Sequence, residues 1–106
     1  MPKGIMYVET RPSSPERQAE FDKWYDEVHL KEVCGIDGVL SARRYTPIDG
    51  EGPFVAVYEL EADDLGSVIE QLGKKSMSGE IHMSDALQLD PPPVVRILEL
   101  TSGFKP

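Results

Sequence analysis

The stretch Glu20–Tyr45, EFDKWYDEVHLKEVCGIDGVLSARRY, joins a helix to a strand and so sets the order of everything around it. Phe21, Trp24, Tyr25 and Val28 stand at offsets of three, four and seven, so on a helix they share one apolar face suited to packing on a sheet. Asp22, Lys23, Asp26 and Glu27 fall mostly on the flanks or the far side. His29, four residues after Tyr25, comes to the margin of the apolar face. Leu30 points to the polar side, which predicts a bend or an end there, then a further turn through Glu32 and Val33 that Gly35 and Gly38 terminate. Val39 to Thr46 reads as a strand in which Arg43 and Tyr45 share one face and Arg44 takes the other.

Upstream, Ile5 to Thr10 is a short β-branched and aromatic run that stops at Arg11-Pro12-Ser13-Ser14-Pro15, where proline removes ladder donors. Ser13 and Glu16 have capping-box spacing, so the first helix should start there and run to about Leu30. Downstream, Phe54 to Leu60 forms a hairpin with the preceding strand through a connection containing Asp49-Gly50. Asp63 and Asp64 open a second helix whose stripe of Leu65, Val68, Ile69 and Leu72 closes at Gly73. Residues 74–93 are long for a connector, and their apolar residues predict packing against the domain, with a short helix near Ser84 to Leu89. Pro91-Pro92-Pro93 then delivers an extended chain to a final strand, Val94 to Leu100.

Strand, helix, strand, strand, helix, strand is the split βαβ order of a ferredoxin-like α+β domain: one antiparallel sheet with both helices on one face, spanning residues 1–106 as a single unit. The strands are apolar on both sides, as in Phe54, Ala56, Tyr58 and Leu60 against Val55 and Val57. A sheet facing water on one side alternates more cleanly. A second copy of the chain is the simplest cover, which predicts a homodimer closed as a dimeric α+β barrel.

Composition excludes several function classes. The 106 residues, 40% hydrophobic and 28% charged, suit one folded domain of modest core. A net charge of −8 opposes phosphate backbones and anionic lipid, and the basic pairs Arg43-Arg44 and Lys74-Lys75 are too small for a nucleic-acid footprint. The single Cys34 forms no internal disulfide and no thiolate cluster, which suits a reducing compartment. No signal-peptide run or membrane-spanning stretch occurs, so a cytoplasmic setting is expected. There is no phosphate-cradling glycine loop and no nucleophile elbow.

The segment quoted at the outset resembles the helix-to-strand signature of small EthD-like members of the dimeric α+β-barrel superfamily: an aromatic pair, then a histidine, then a glycine turn into a strand. The matching positions are Phe21, Trp24, Tyr25, His29, Gly38, Arg43, Arg44 and Tyr45, with a weaker match through FVAVYEL including Tyr58. Where a proline often follows the histidine by two residues, this chain has Lys31. Relatives include cofactor-free monooxygenases, polyketide cyclases, lactone isomerases and haem-processing enzymes, so the resemblance implies a cavity for a flat, fairly apolar molecule beside the sheet rather than one reaction.

His29 leads the candidate residues, because an imidazole exchanges protons near neutral pH and sits here beside aromatic side chains. The competing role is a half-buried histidine at a helix C-terminus. Arg43 is the second catalytic candidate, suited to a substrate carboxylate or enolate oxygen, against a plain ion pair with Glu9, Glu59 or Glu99. Trp24, Tyr25, Tyr45 and Tyr58 are candidate substrate contacts. His29 and Glu32 lie one helical turn apart, with His82 able to join only through tertiary contact, so no metal site is expected. The expectation is a cofactor-free enzyme acting on a small hydrophobic carbonyl or phenolic compound by enolisation, as an isomerase, cyclase or dehydratase. A cofactor-independent monooxygenase and a non-catalytic dimeric binding protein are the alternatives.

Overall fold

The computed structural model describes residues 1–106 and carries the expected order: β1 Lys3–Thr10, a first helix over residues 15–33, β2 Val39–Tyr45, β3 Phe54–Glu61, a second helix Gly66–Ser78, and β4 Val94–Glu99. The sheet order is β2-β3-β1-β4 with every neighbouring pair antiparallel. Each strand–helix–strand unit therefore skips one strand, which is the ferredoxin-like α+β topology. No helix is long and apolar enough to cross a membrane.

Period-two alternation gives the sheet its two faces. Met6, Val8 and Thr10 are buried on β1 between the less buried Ile5, Tyr7 and Glu9. The registers align Met6 with Tyr58 and Ile97, and Val8 with Ala56 and Val95, so these six share the inner face. Against it the helices place Phe21, Trp24, Tyr25, Val33, Leu65 and Val68, all buried. Each such side chain contributes roughly 1.5–3 kcal/mol on leaving water.

Four local expectations change. The capping box does not form: Ser13 is pulled away, its N–H donating to the Ala86 carbonyl at 2.6 Å, and the helix opens instead as a 3-10 turn, Pro15–Arg17. The second helix runs through Gly73 to Ser78 and stops at Gly79, whose φ of 85° is the left-handed conformation that a C-terminal cap requires. Ile69, expected in the apolar stripe, is exposed. Residues 80–93 form no helix but an extended strap that buries Ile81, Ala86 and Leu87, pairs Leu87 with Pro12, and accepts its shape from bonds such as Gln88 N–H to the Arg11 carbonyl, 2.9 Å.

Gly4 is the tightest point of the sheet. A Cβ there would stand 2.2 Å from the Leu98 carbonyl oxygen, a backbone atom that cannot swing aside. Gly4→Ala should therefore force β4 outward and lower stability by about 2 kcal/mol, read as a drop in the urea midpoint; an unchanged midpoint would contradict this packing.

Candidate active site

Midway along, the first helix widens into one π turn, Tyr25–His29, in which the Leu30 N–H bonds the Tyr25 carbonyl five residues back. Each residue turns through less than the α-helical angle there, so His29 swings beneath Tyr25 while Val28 moves to the flank. His29 is accordingly buried, only 8% exposed, where a regular helix would leave it at the margin. The chain then returns to α geometry over Leu30–Val33.

The imidazole stacks on the Trp24 ring at 4.4 Å and meets the Tyr25 ring edge-on at 5.2 Å. Its Nδ1 is buried with no hydrogen-bond partner. Burial lowers the pKa of His29 to about 4, against a smaller upward pull from the Glu32 carboxylate. At neutral pH the ring is uncharged and free to accept a proton.

His29 lines a cavity of about 120 Å³ between helices and sheet. Its floor is Met6, Val8 and Tyr58, its wall Trp24 and Tyr25, and its roof Leu72 with Met83, Leu87 and Pro93 of the strap. Burial pushes the Tyr25 and Tyr58 phenols up, Tyr58 the further because Tyr25 adds to it, so both remain protonated donors. The Thr10 hydroxyl, also at this cavity, stands close enough to Tyr25 to hold its rise back but has no partner in hydrogen-bonding geometry. Beside the cavity the strap is fastened at His82: the Glu32 carboxylate accepts the His82 N–H at 2.7 Å and meets its Nδ1 at 2.7 Å, while the Trp24 indole donates to the His82 carbonyl at 2.9 Å.

Of the residues expected at a site, His29, Trp24, Tyr25 and Tyr58 come together here. Arg43 and Tyr45 do not. Arg43 pairs with Val57 and Tyr45 with Val55, on the outward face, because Arg44 takes the inward position opposite the buried Ala56. It is Arg44 that the sequence reading missed. Its guanidinium lies 4.7 Å over the Tyr25 ring and bonds Asp26 and Asp22, each at 2.9 Å; burial would lower its pKa, yet the two aspartates raise it on balance. Asp26 is thus occupied by Arg44. The i, i+4 spacing of Asp22 and Asp26 was the available signal for a cation between them. His82 reaches Glu32 through the strap, and no group of three or more His, Cys, Asp or Glu side chains gathers in a metal-binding cluster. A larger hollow of about 510 Å³ opens on the outward face near Ile5, Leu40 and Leu98, without a histidine.

No protein-family profile matches the chain, and no curated protein matches it by sequence. Among solved structures, Rv0793 from Mycobacterium tuberculosis is similar over 99% of this chain and 100% of its own, at 16% identity and a TM-score of 0.58. A monooxygenase from the gene ActVA-Orf6 of Streptomyces coelicolor, solved in complex with the ligand Nanaomycin D, is similar over 97% of this chain and 92% of its own, at 17% identity and a TM-score of 0.54. At such identities the likeness establishes the fold. The chain shares the small ferredoxin-like α+β architecture of these proteins.

Folded His29 takes up its proton near pH 4 and unfolded histidine near 6.5, so the unfolded state binds more protons in between. Stability is fully present above that window and falls as pH drops through it. Between pH 7 and pH 4 the wild type should lose roughly 3 kcal/mol more than His29→Phe, which keeps an aromatic ring against Trp24 but cannot titrate. Parallel urea titrations of both proteins measure the difference, and equal losses would place the histidine in water.

Proposed function

We propose that the chain is a cofactor-free enzyme for a small, flat, mostly apolar carbonyl or phenolic compound, bound in the cavity beside His29. The observation carrying this reading is an uncharged, buried imidazole with an unpartnered nitrogen, at an apolar cavity that also holds two protonated phenols. His29 takes a proton from a phenol or from the carbon beside a carbonyl. The imidazolium and the phenolate or enolate arise together in a low dielectric, where each stabilises the other far more than in water. Tyr25 and Tyr58 donate hydrogen bonds to the developing anion, and Trp24 offers a flat apolar face. Arg44, behind the Tyr25 ring, replaces Arg43 as the cation that favours negative charge on this side.

The anion has two exits. Reprotonation at another atom gives an isomerase; attack of the enolate carbon on a carbonyl carbon of the same molecule, with protonation of the resulting alkoxide, gives a cyclase; and expulsion of a β-hydroxyl, protonated to leave as water, gives a dehydratase. Reaction with dioxygen gives a monooxygenase: one oxygen atom enters the substrate, the other leaves as water, and the substrate itself supplies the electrons. The ActVA-Orf6 monooxygenase, with its bound ligand, supports the second exit. The EthD-like resemblance of the helix-to-strand segment supports small-molecule chemistry of either kind. The cavity of about 120 Å³ is smaller than the roughly 300 Å³ of an ordinary small-molecule site, so the strap lifts to admit the substrate. The lone Cys34 suits a reducing, cytoplasmic setting. A ligand-binding protein without turnover would use the same apolar walls.

Naphthols, hydroxyquinones and β-diketones, followed by absorbance and oxygen uptake in air and under nitrogen, separate these readings. A monooxygenase consumes one dioxygen per turnover and stops under nitrogen, whereas an isomerase continues. His29→Ala should lower kcat about 10²–10⁴-fold. The wild-type kcat/KM should fall only toward the acid pKa near 4. Tight binding without turnover, unaffected by His29→Ala, would leave the binding-protein reading in place.

A further inference from the structure

Beside the His29 cavity, at the end of β1, lies a second hollow of about 180 Å³. Glu9, Thr10 and Arg11 wall it on one side, and Gln88 with the proline run 91–93 of the strap on the other. Thr10 and Pro93 line both spaces, so they stand as the partition between them. The Thr10 side chain is buried at that partition, and its hydroxyl has no partner in the chain. A buried hydroxyl is costly unless some atom reaches it, and here only a ligand lying across the partition does so.

The partition is also the least fastened part of the strap. Upstream, Ile81, His82, Ala86 and Gln88 each hold a bond to the rest of the domain. Residues 89–93 join no backbone–backbone hydrogen bond, and three of the five are prolines with no N–H to offer. Lifting the strap at His82 breaks its bonds to Glu32 and Trp24, whereas displacing residues 89–93 breaks none between backbone groups. Movement of this end joins the two hollows, and the joined space reaches the roughly 300 Å³ of an ordinary small-molecule site.

Charge shows what the outer hollow takes. Arg11 is anchored beside the strap, its carbonyl accepting the Gln88 N–H at 2.9 Å. Its exposed guanidinium has no carboxylate within ion-pair distance. Glu9, the one carboxylate in the wall, is engaged by the Tyr7 hydroxyl at 2.9 Å. The free group is therefore a guanidinium, whose planar fork matches a carboxylate in two parallel hydrogen bonds.

We propose that the two hollows form one ligand site: the flat nucleus lies against His29, and a short carboxylate arm runs past Thr10 and Pro93 to Arg11. This rests on the inner cavity being the substrate site, and it narrows the substrate to phenolic or carbonyl compounds that carry a carboxylate side chain. Arg11 contacts the arm, away from the reacting atoms, and sets specificity. The Thr10 hydroxyl gains its partner from the ligand as it crosses the partition.

Titration calorimetry with four naphthols tests this: the parent compound, and three that carry a propionate, its methyl ester or a propylamine arm on the ring position opposite the hydroxyl. The acid should bind about tenfold more tightly than the ester, and the ammonium arm more weakly than either. Arg11→Gln, at an exposed position, should keep the far-UV circular dichroism of the wild type and bring the acid to within about twofold of the ester. The parent naphthol should displace the acid one for one, because both fill the inner cavity. If the parent and the ester bind but the acid has no advantage, yields to the ammonium, keeps its advantage in Arg11→Gln or binds independently of the parent, the Arg11 subsite is overturned while the inner cavity keeps its nucleus. If none of the four binds, the inner site and this proposal fall together.

Discussion

The Arg44 guanidinium lies between two aspartates of the first helix and the face of Tyr25, with its side chain only 16% exposed. A cation so shielded is worth more than an ordinary surface pair, although both carboxylates still reach water and hold the gain below that of a fully buried pair. Its larger consequence is geometric. Once Arg44 faces inward on β2, Arg43 and Tyr45 face outward, since neighbours on a strand take opposite sides. One side-chain orientation therefore decides both the cation behind the candidate active site and the charge pattern of the opposite face.

The first helix makes a second choice of this kind through its π turn. Without the added residue, Val28 would pack inward and His29 would stand at the rim, half in water, titrating as histidine ordinarily does. The widened turn buries the imidazole between Trp24 and Tyr25. The same helix, one turn on, supplies Glu32 to hold the strap at His82, and Trp24 bonds the same residue from the other side. Base, aromatic wall and roof are thus all fastened to residues 24–32.

Hydrophobic period and punctuation carried the element order, the strand positions and the apolar helix face, because these depend on neighbours close in the chain. Phe21, Trp24 and Tyr25 lie where helical spacing puts them. The depth of His29 escaped that reading because a π turn depends on how the helix seats on the sheet, not on local sequence. Arg43 was preferred to Arg44 for a related reason: period two states that the pair must split between faces, but only the register with Ala56, with a bulge at Leu40, says which goes in. The strap was out of reach for a third reason. Its apolar residues announce that it packs, as Ile81 and Leu87 do, but its bonds to Glu32, Arg11 and Ser13 are all long-range, so residues 80–93 contain no local pattern that gives its path.

The cavity keeps two buried polar groups, His29 Nδ1 and the Thr10 hydroxyl, without protein partners. Each such group costs about 1–3 kcal/mol, a sizeable part of the 5–15 kcal/mol by which a domain is usually stable. A valine at position 10 or a leucine at 29 would remove that cost and pack as well against the same aromatic wall. Area alone would then bind any flat apolar compound of the right size. With the polar groups in place, a ligand that offers them no matching atoms leaves them unpaired, while one that does gains their bonds in an environment without competing water. The cost to the empty protein is therefore a source of selectivity for the occupied one, and it falls beside the one uncharged base in the cavity.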